Sequence, residues 1–146
     1  MVLVMQATDI VEESAAIGVV AQLMPQDVVD TRVRSLIDRF RVRSGRWIWE
    51  QLAADISWQD PEAWRLIASF RDDGPLALLL ENNDRWSGVE FASACDITRV
   101  LESTWGFEFL ITNERTDYFI AFNHHDYLLV SGSAVEQFSR WMPPSS

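Results

Sequence analysis

Both histidines of the chain stand side by side in Asn123-His124-His125-Asp126, and three kinds of chemistry suit that cluster. The first is a metal site, since neutral imidazole is a good zinc ligand and Asp126 could add an oxygen. Neighbours on a strand point to opposite faces, however, so His124 and His125 share an ion only where a turn reorients them. The sequence has no Cys/His cluster to complete the shell. The second is acid–base catalysis by an imidazole that a carboxylate orients. It needs a nucleophile such as Ser131, Ser133 or Cys95, and no G-x-S-x-G, phosphate-binding loop or paired-carboxylate pattern is present. The third is structural. Asn and Asp hydrogen-bond to nearby backbone, so Asn123 and Asp126 bracket a four-residue connection between DYFIAF and YLLVSG. The turn is the preferred reading. It leaves Asn123, His124, His125 and Asp126 as a recognition motif on a sheet corner, with no catalytic residue, metal or cofactor expected.

The elements that position this corner follow from periodicity. The first half reads helical. Thr8 is a candidate cap for a helix whose buried stripe is Ile10, Ile17, Val20 and Met24, with Pro25 ending it. Val29, Val33, Leu36, Ile37 and Phe40 mark a second amphipathic helix, with Arg34 and Asp38 four apart on its outer face. RWIWEQLAADIS reads as a short helix. Asp60 and Pro61 then signal a helix start. The second half changes period. PLALLL suits a central strand, followed by strands in WSGVEFAS, GFEFLITN, DYFIAF and YLLVSG. GFEFLITN alternates, with Phe107, Phe109 and Ile111 on one face and Glu108, Leu110 and Thr112 on the other. Asp96 is a candidate cap for an inserted helix burying Ile97, Val100 and Leu101. Ser133 and Glu136 form a candidate capping box for the last helix. Runs of each type predict a single α+β domain over residues 1–146: a helical N-terminal half, an antiparallel sheet of about five strands and a C-terminal helix. Helices are expected on one sheet face, with the other partly open.

Composition narrows the function classes. The chain has 146 residues, 48% of them hydrophobic, enough for one self-sufficient core. One cysteine, Cys95, excludes an internal disulfide and agrees with a reducing cytoplasm. The apolar run AAIGVVAQLM is too short to cross a bilayer. The net charge is −10, which disfavours nucleic acid and favours a basic partner. Against it stands a basic run, Arg32, Arg34, Arg39, Arg41, Arg43 and Arg46, expected to be a solvated face balanced by the acidic body. Candidate partner-binding residues are the acids Glu81, Asp84, Glu90, Glu108, Glu114 and Asp117, read as one negative surface. Trp86 is the expected exposed anchor among them.

The stretch EFLITNERTDYFIAFNHHDYLLVSG resembles the C-terminal part of a family of small uncharacterised bacterial proteins. The matching positions are Glu108, Phe109, Ile111, Asn123, His124, His125, Asp126 and Gly132, with Trp49, Glu50 and Leu52 upstream. That family is similar in size and acidity to immunity proteins of bacterial toxin systems. The resemblance implies a bacterial single-domain protein of the immunity type. With the acidic composition and the short apolar run, the expectation is a cytoplasmic protein that binds a protein partner, such as a basic toxin domain, rather than nucleic acid or membrane. Two other functions compete: a small hydrolase or metal-dependent enzyme using His124, His125 and Asp126, and a small-ligand sensor with a pocket between helices and sheet.

Overall fold

The computed structural model describes residues 5–40, 54–82, 85–104 and 107–141. In chain order they form α1 (Ala7–Ala16), β1 (Ala21–Leu23), α2 (Gln26–Phe40), β2 (Ile56–Gln59), a 3-10 helix (Ala63–Ser69), β3 (Leu76–Asn82), β4 (Arg85–Phe91), α3 (Ala94–Glu102), β5 (Phe109–Asn113), β6 (Tyr118–Phe122), β7 (Tyr127–Gly132) and α4 (Val135–Trp141). The architecture is α+β. All neighbouring strands are antiparallel, in the order β1-β4-β3-β5-β6-β7-β2. No helix among the described residues is long and apolar enough to cross a membrane.

The sheet has seven strands rather than about five, and both additions are edge strands. β1 arises where α1 was expected to continue to Met24. Gly18 adopts φ +77, a left-handed conformation that stops the helix, and the chain turns back to pair with β4. Val20, placed on the buried stripe, is instead 73% exposed. β2 arises from the end of the RWIWEQLAADIS segment, since Ile56 and Ser57 pair with Val130 and Leu129. The rest of that segment to residue 53 lies outside the described residues, as do Arg41, Arg43, Arg46, Trp49, Glu50 and Leu52.

Helices lie on both faces of the sheet, so the expectation of helices on one face alone is corrected, while exposed Ser57 and Gln59 of β2 leave the second face partly open at that edge. On the first face α1, the 3-10 helix, α3 and α4 bury Ile10, Ile67, Ile97, Val100 and Phe138 against Leu78, Ile111, Ile120 and Val130. On the second face α2 lays Val29, Val33 and Leu36 over Ala77, Leu79, Leu110 and Phe119. Two covered faces explain why PLALLL is apolar throughout and why every residue of β5 and β6 is buried. At its C-terminal end α2 is tied down by Arg39, which donates to the Arg115 carbonyl at 3.0 Å, while Ser35 and Thr116 share a 2.7 Å hydroxyl hydrogen bond.

Several helix ends differ from expectation because a nearer residue supplies the bond. Asp9 accepts from the Gln6 N–H at 3.0 Å, placing the start of α1 before Thr8. Ser93, not Asp96, caps α3 by accepting from the Asp96 N–H at 3.1 Å. Asp60 accepts from the Glu62 N–H at 2.8 Å, but the turn it closes leads into a 3-10 helix. Ser133 and Glu136 form no capping box. The Ser133 N–H donates to the Asp117 carbonyl, and Glu136 pairs with Arg140 at 2.8 Å. The exposed Arg34–Asp38 pair does not form either.

Candidate functional site

The Asn123–Asp126 segment is the reverse turn between β6 and β7. The Asp126 N–H donates to the Asn123 carbonyl at 3.0 Å, and the Asn123 N–H to the Tyr127 carbonyl at 3.2 Å. Asp126 closes the turn at φ +64, a left-handed conformation that a short polar side chain tolerates. The Asn123 side chain holds the loop from inside, its Oδ1 accepting from the N–H of His125 at 3.0 Å and of Tyr127 at 3.1 Å. Asn123→Ala removes the acceptor for two backbone donors and is expected to cost about 1–2 kcal/mol, read by chemical denaturation. An unchanged midpoint would show that water satisfies both donors.

Three neighbours immobilise the turn. Glu108, just before β5, accepts the His124 N–H through Oε2 at 2.9 Å, and the same oxygen lies 2.5 Å from His124 Nδ1. This assigns the Nδ1 proton to the Glu108 side and leaves Nε2 as the outer polar atom of the ring. Gln59 donates to the His125 carbonyl at 3.2 Å, and the Asp60 N–H to the Asp126 carbonyl at 2.9 Å. The two imidazoles end 3.8 Å apart, tilted by 46°. The turn has thus brought together two side chains that strand alternation would separate. The His124 side chain is 62% exposed and that of Glu108 26%.

The candidate nucleophiles are engaged or presented elsewhere. Ser131 is buried and donates to Asp55 at 2.6 Å, Cys95 is exposed in the first turn of α3, and none of Ser131, Ser133 and Cys95 hydrogen-bonds to either imidazole. Among the described residues no group of three or more His, Cys, Asp or Glu is placed to hold a metal ion.

Beside the turn lies a cleft of about 180 Å³ between the 3-10 helix, α3 and the ends of β5 and β6. Its walls are Pro61, Trp64, Leu101, Phe107, Phe109 and Phe122, with Thr104 and Asp126 as the polar members. Phe107 and Phe109 share this side as their alternation predicts. Trp64 joins them from more than 40 residues upstream and Phe122 from the next strand, a proximity that only the folded sheet creates.

The expected acidic surface divides between two ends of the sheet. β3 runs antiparallel to β5, with Leu79 opposite Leu110 and Leu76 opposite Asn113. Glu81 and its cross-strand neighbour Trp86 therefore lie toward the Glu108 end, with the histidine turn. Glu90, opposite Ala77, lies toward the other end with Glu114 and Asp117. Trp86 is not a free anchor. It is half-buried against the second core, and its carbonyl accepts from Gln26 at 2.7 Å. Asp84 lies outside the described residues. At the far end Asp117 is structural: hydrogen bonds from Asn113 and Arg115 hold its carboxyl below the usual carboxylate range. Burial, reinforced by Asp72, pushes the Tyr118 phenol well above its usual range, and its hydroxyl donates to Asp72 at 3.1 Å. Compared with known proteins, the chain matches no family model, no curated protein and no solved structure, so the resemblance carried by residues 108–132 rests on those residues alone.

Proposed function

We propose that the protein is a non-enzymatic binding protein that inhibits a protein partner, in the manner of a bacterial immunity protein acting on a basic toxin domain. One observation carries the reading: at an exposed sheet corner Glu108 holds the His124 imidazole, Asn123 and Gln59 hold the His125 backbone with its ring against that of His124, and none of the candidate nucleophiles is bonded to either ring. A surface held this rigidly loses little entropy on docking, which is what a recognition corner requires. The net charge of −10 supports a basic partner, whose approach it would steer.

The test is capture of a partner from the source bacterium with tagged protein, followed by association kinetics. The rate is expected to fall about tenfold or more from low to high salt, as steering is screened. His124→Ala/His125→Ala is expected to weaken the complex about tenfold or more without shifting the melting temperature, since both side chains are exposed. A salt-independent rate would remove the steering mechanism, and undiminished binding by the double variant would return the histidines to scaffold. An enzyme using His124 as general base has the Glu108–Nδ1 contact in its favour. That alternative requires a turnover that His124→Ala abolishes.

A further inference from the structure

We infer that the aromatic cleft beside the histidine turn seats the side chain of one arginine from the protein partner. The inference rests on the inhibitor reading and specifies its anchor. Size comes first. A drug-sized ligand needs roughly 300–1,000 Å³, whereas this cleft of about 180 Å³ is on the scale of one large side chain. Its walls come second. Trp64, Phe107, Phe109 and Phe122 offer ring faces and edges, on which a planar, weakly hydrated guanidinium stacks better than a compact ammonium does.

Charge then decides between a cationic and a neutral guest. Asp126 borders the cleft, and its carboxylate has no hydrogen-bond or ion-pair partner among the described residues. Arg65 lies with its guanidinium 4.5 Å from the Trp64 ring centre, so this indole already accepts an arginine of the chain itself. Arg65 is in turn matched by Glu62 at 2.8 Å and Glu102 at 3.5 Å. Glu62 and Glu102 against Arg65 leave the surface beside Trp64 net negative, and Asp126 adds a negative charge from the cleft lining itself. A neutral aromatic guest would fill the walls and leave Asp126 unpaired. An arginine satisfies both.

The experiment is an NMR titration of the isotope-labelled protein with N-acetyl-arginine amide, and with N-acetyl-citrulline amide as the neutral isostere. Saturable shifts are expected at the Trp64 indole N–H and the Phe107, Phe109 and Asp126 amides, with citrulline binding about tenfold more weakly. Asp126→Asn keeps a residue tolerant of positive φ and removes the charge, so it is expected to bring arginine down to the citrulline level. Equal affinity for the two amides, or no saturable shift at Trp64, overturns the inference. Thr104→Trp, which fills the cleft from its edge, extends the test to the captured partner. A partner that binds both variants as tightly as wild type overturns the arginine anchor and leaves the inhibitor reading standing. Failure to capture any partner overturns that reading and removes the protein source of the arginine, while the amide titration still reports the chemistry of the cleft.

Discussion

Gly132→Ala is expected to destabilise the protein by about 3 kcal/mol or more, the sum of a left-handed backbone penalty and a backbone collision. Gly132 ends β7 at φ +79, paired with Tyr118. A methyl group there would stand 2.2 Å from the Asp117 carbonyl oxygen and 2.7 Å from Tyr118 Cα. Neither atom belongs to a flexible side chain. The Asp117 oxygen also accepts the Ser133 N–H at 3.0 Å, so withdrawing it breaks that bond. Moving Tyr118 disturbs a fully buried ring packed edge-on to Phe70 at 4.9 Å and bonded to Asp72. Gly18→Ala separates the two contributions. Gly18 has nearly the same φ, +77, with nothing within 4 Å of the added Cβ, so it incurs only the backbone penalty of about 1–2 kcal/mol. Denaturant midpoints of the two variants measure the difference. A Gly132→Ala loss no greater than that of Gly18→Ala would mean that β6 and β7 separate at little cost.

That glycine shows what the sequence can and cannot convey. Gly132 is legible as the end of an apolar strand. Its close approach to Asp117 is not, because the approach depends on the register between β6 and β7. The same division runs through the fold. The five strands read from residues 75–132 all form, because each carries a hydrophobic run or alternation long enough to declare its period. β1 and β2 escaped because three- and four-residue edge strands have too few positions for a period. They also lie next to sequence that looks helical. The covering of the second face was hidden for a different reason. The amphipathic stripe of α2 states that one side is buried, not which surface buries it.

The candidate site divides in the same way. The turn was legible because Asn and Asp act on backbone within four residues of themselves. The grip of Glu108 on His124 was not, since it spans 16 residues and requires β5 beside β6. Glu108 was singled out as a surface acid, and it does lie at the histidine end. Its carboxylate is nevertheless spent on orienting an imidazole, whereas Asp126 at that corner has no side-chain partner among the described residues. The cleft depends on Trp64 and Phe122 as much as on the Phe107–Phe109 alternation. Aromatic residues distant in sequence carry no local sign that they share a wall. The acids scattered along the chain made one surface by count, and strand direction makes them two.

Phe119→Ala tests the layer that the sequence could not place, with an expected loss of about 3–5 kcal/mol. Phe119 is fully buried on the second face and meets Phe40 edge-on at a ring distance of 5.2 Å. Among the described residues that face has nine buried core members, against twenty-five on the first, so one aromatic ring is a large share of its packing. Its other floor residues include Ala77 and Ala121, too small to close over the vacancy, so little relaxation is available. The damage should be local before it is global. Native-state hydrogen exchange is expected to show the amides of Val33 and Leu36 in α2 opening at a lower free energy than those of Leu78 and Ile111, because the first core is untouched. Uniform loss of protection across α2 and the sheet would mean instead that both layers form one cooperative unit. The histidine corner belongs to the β6–β7 turn and β5, so in the local case the variant should keep its partner affinity while α2 loosens.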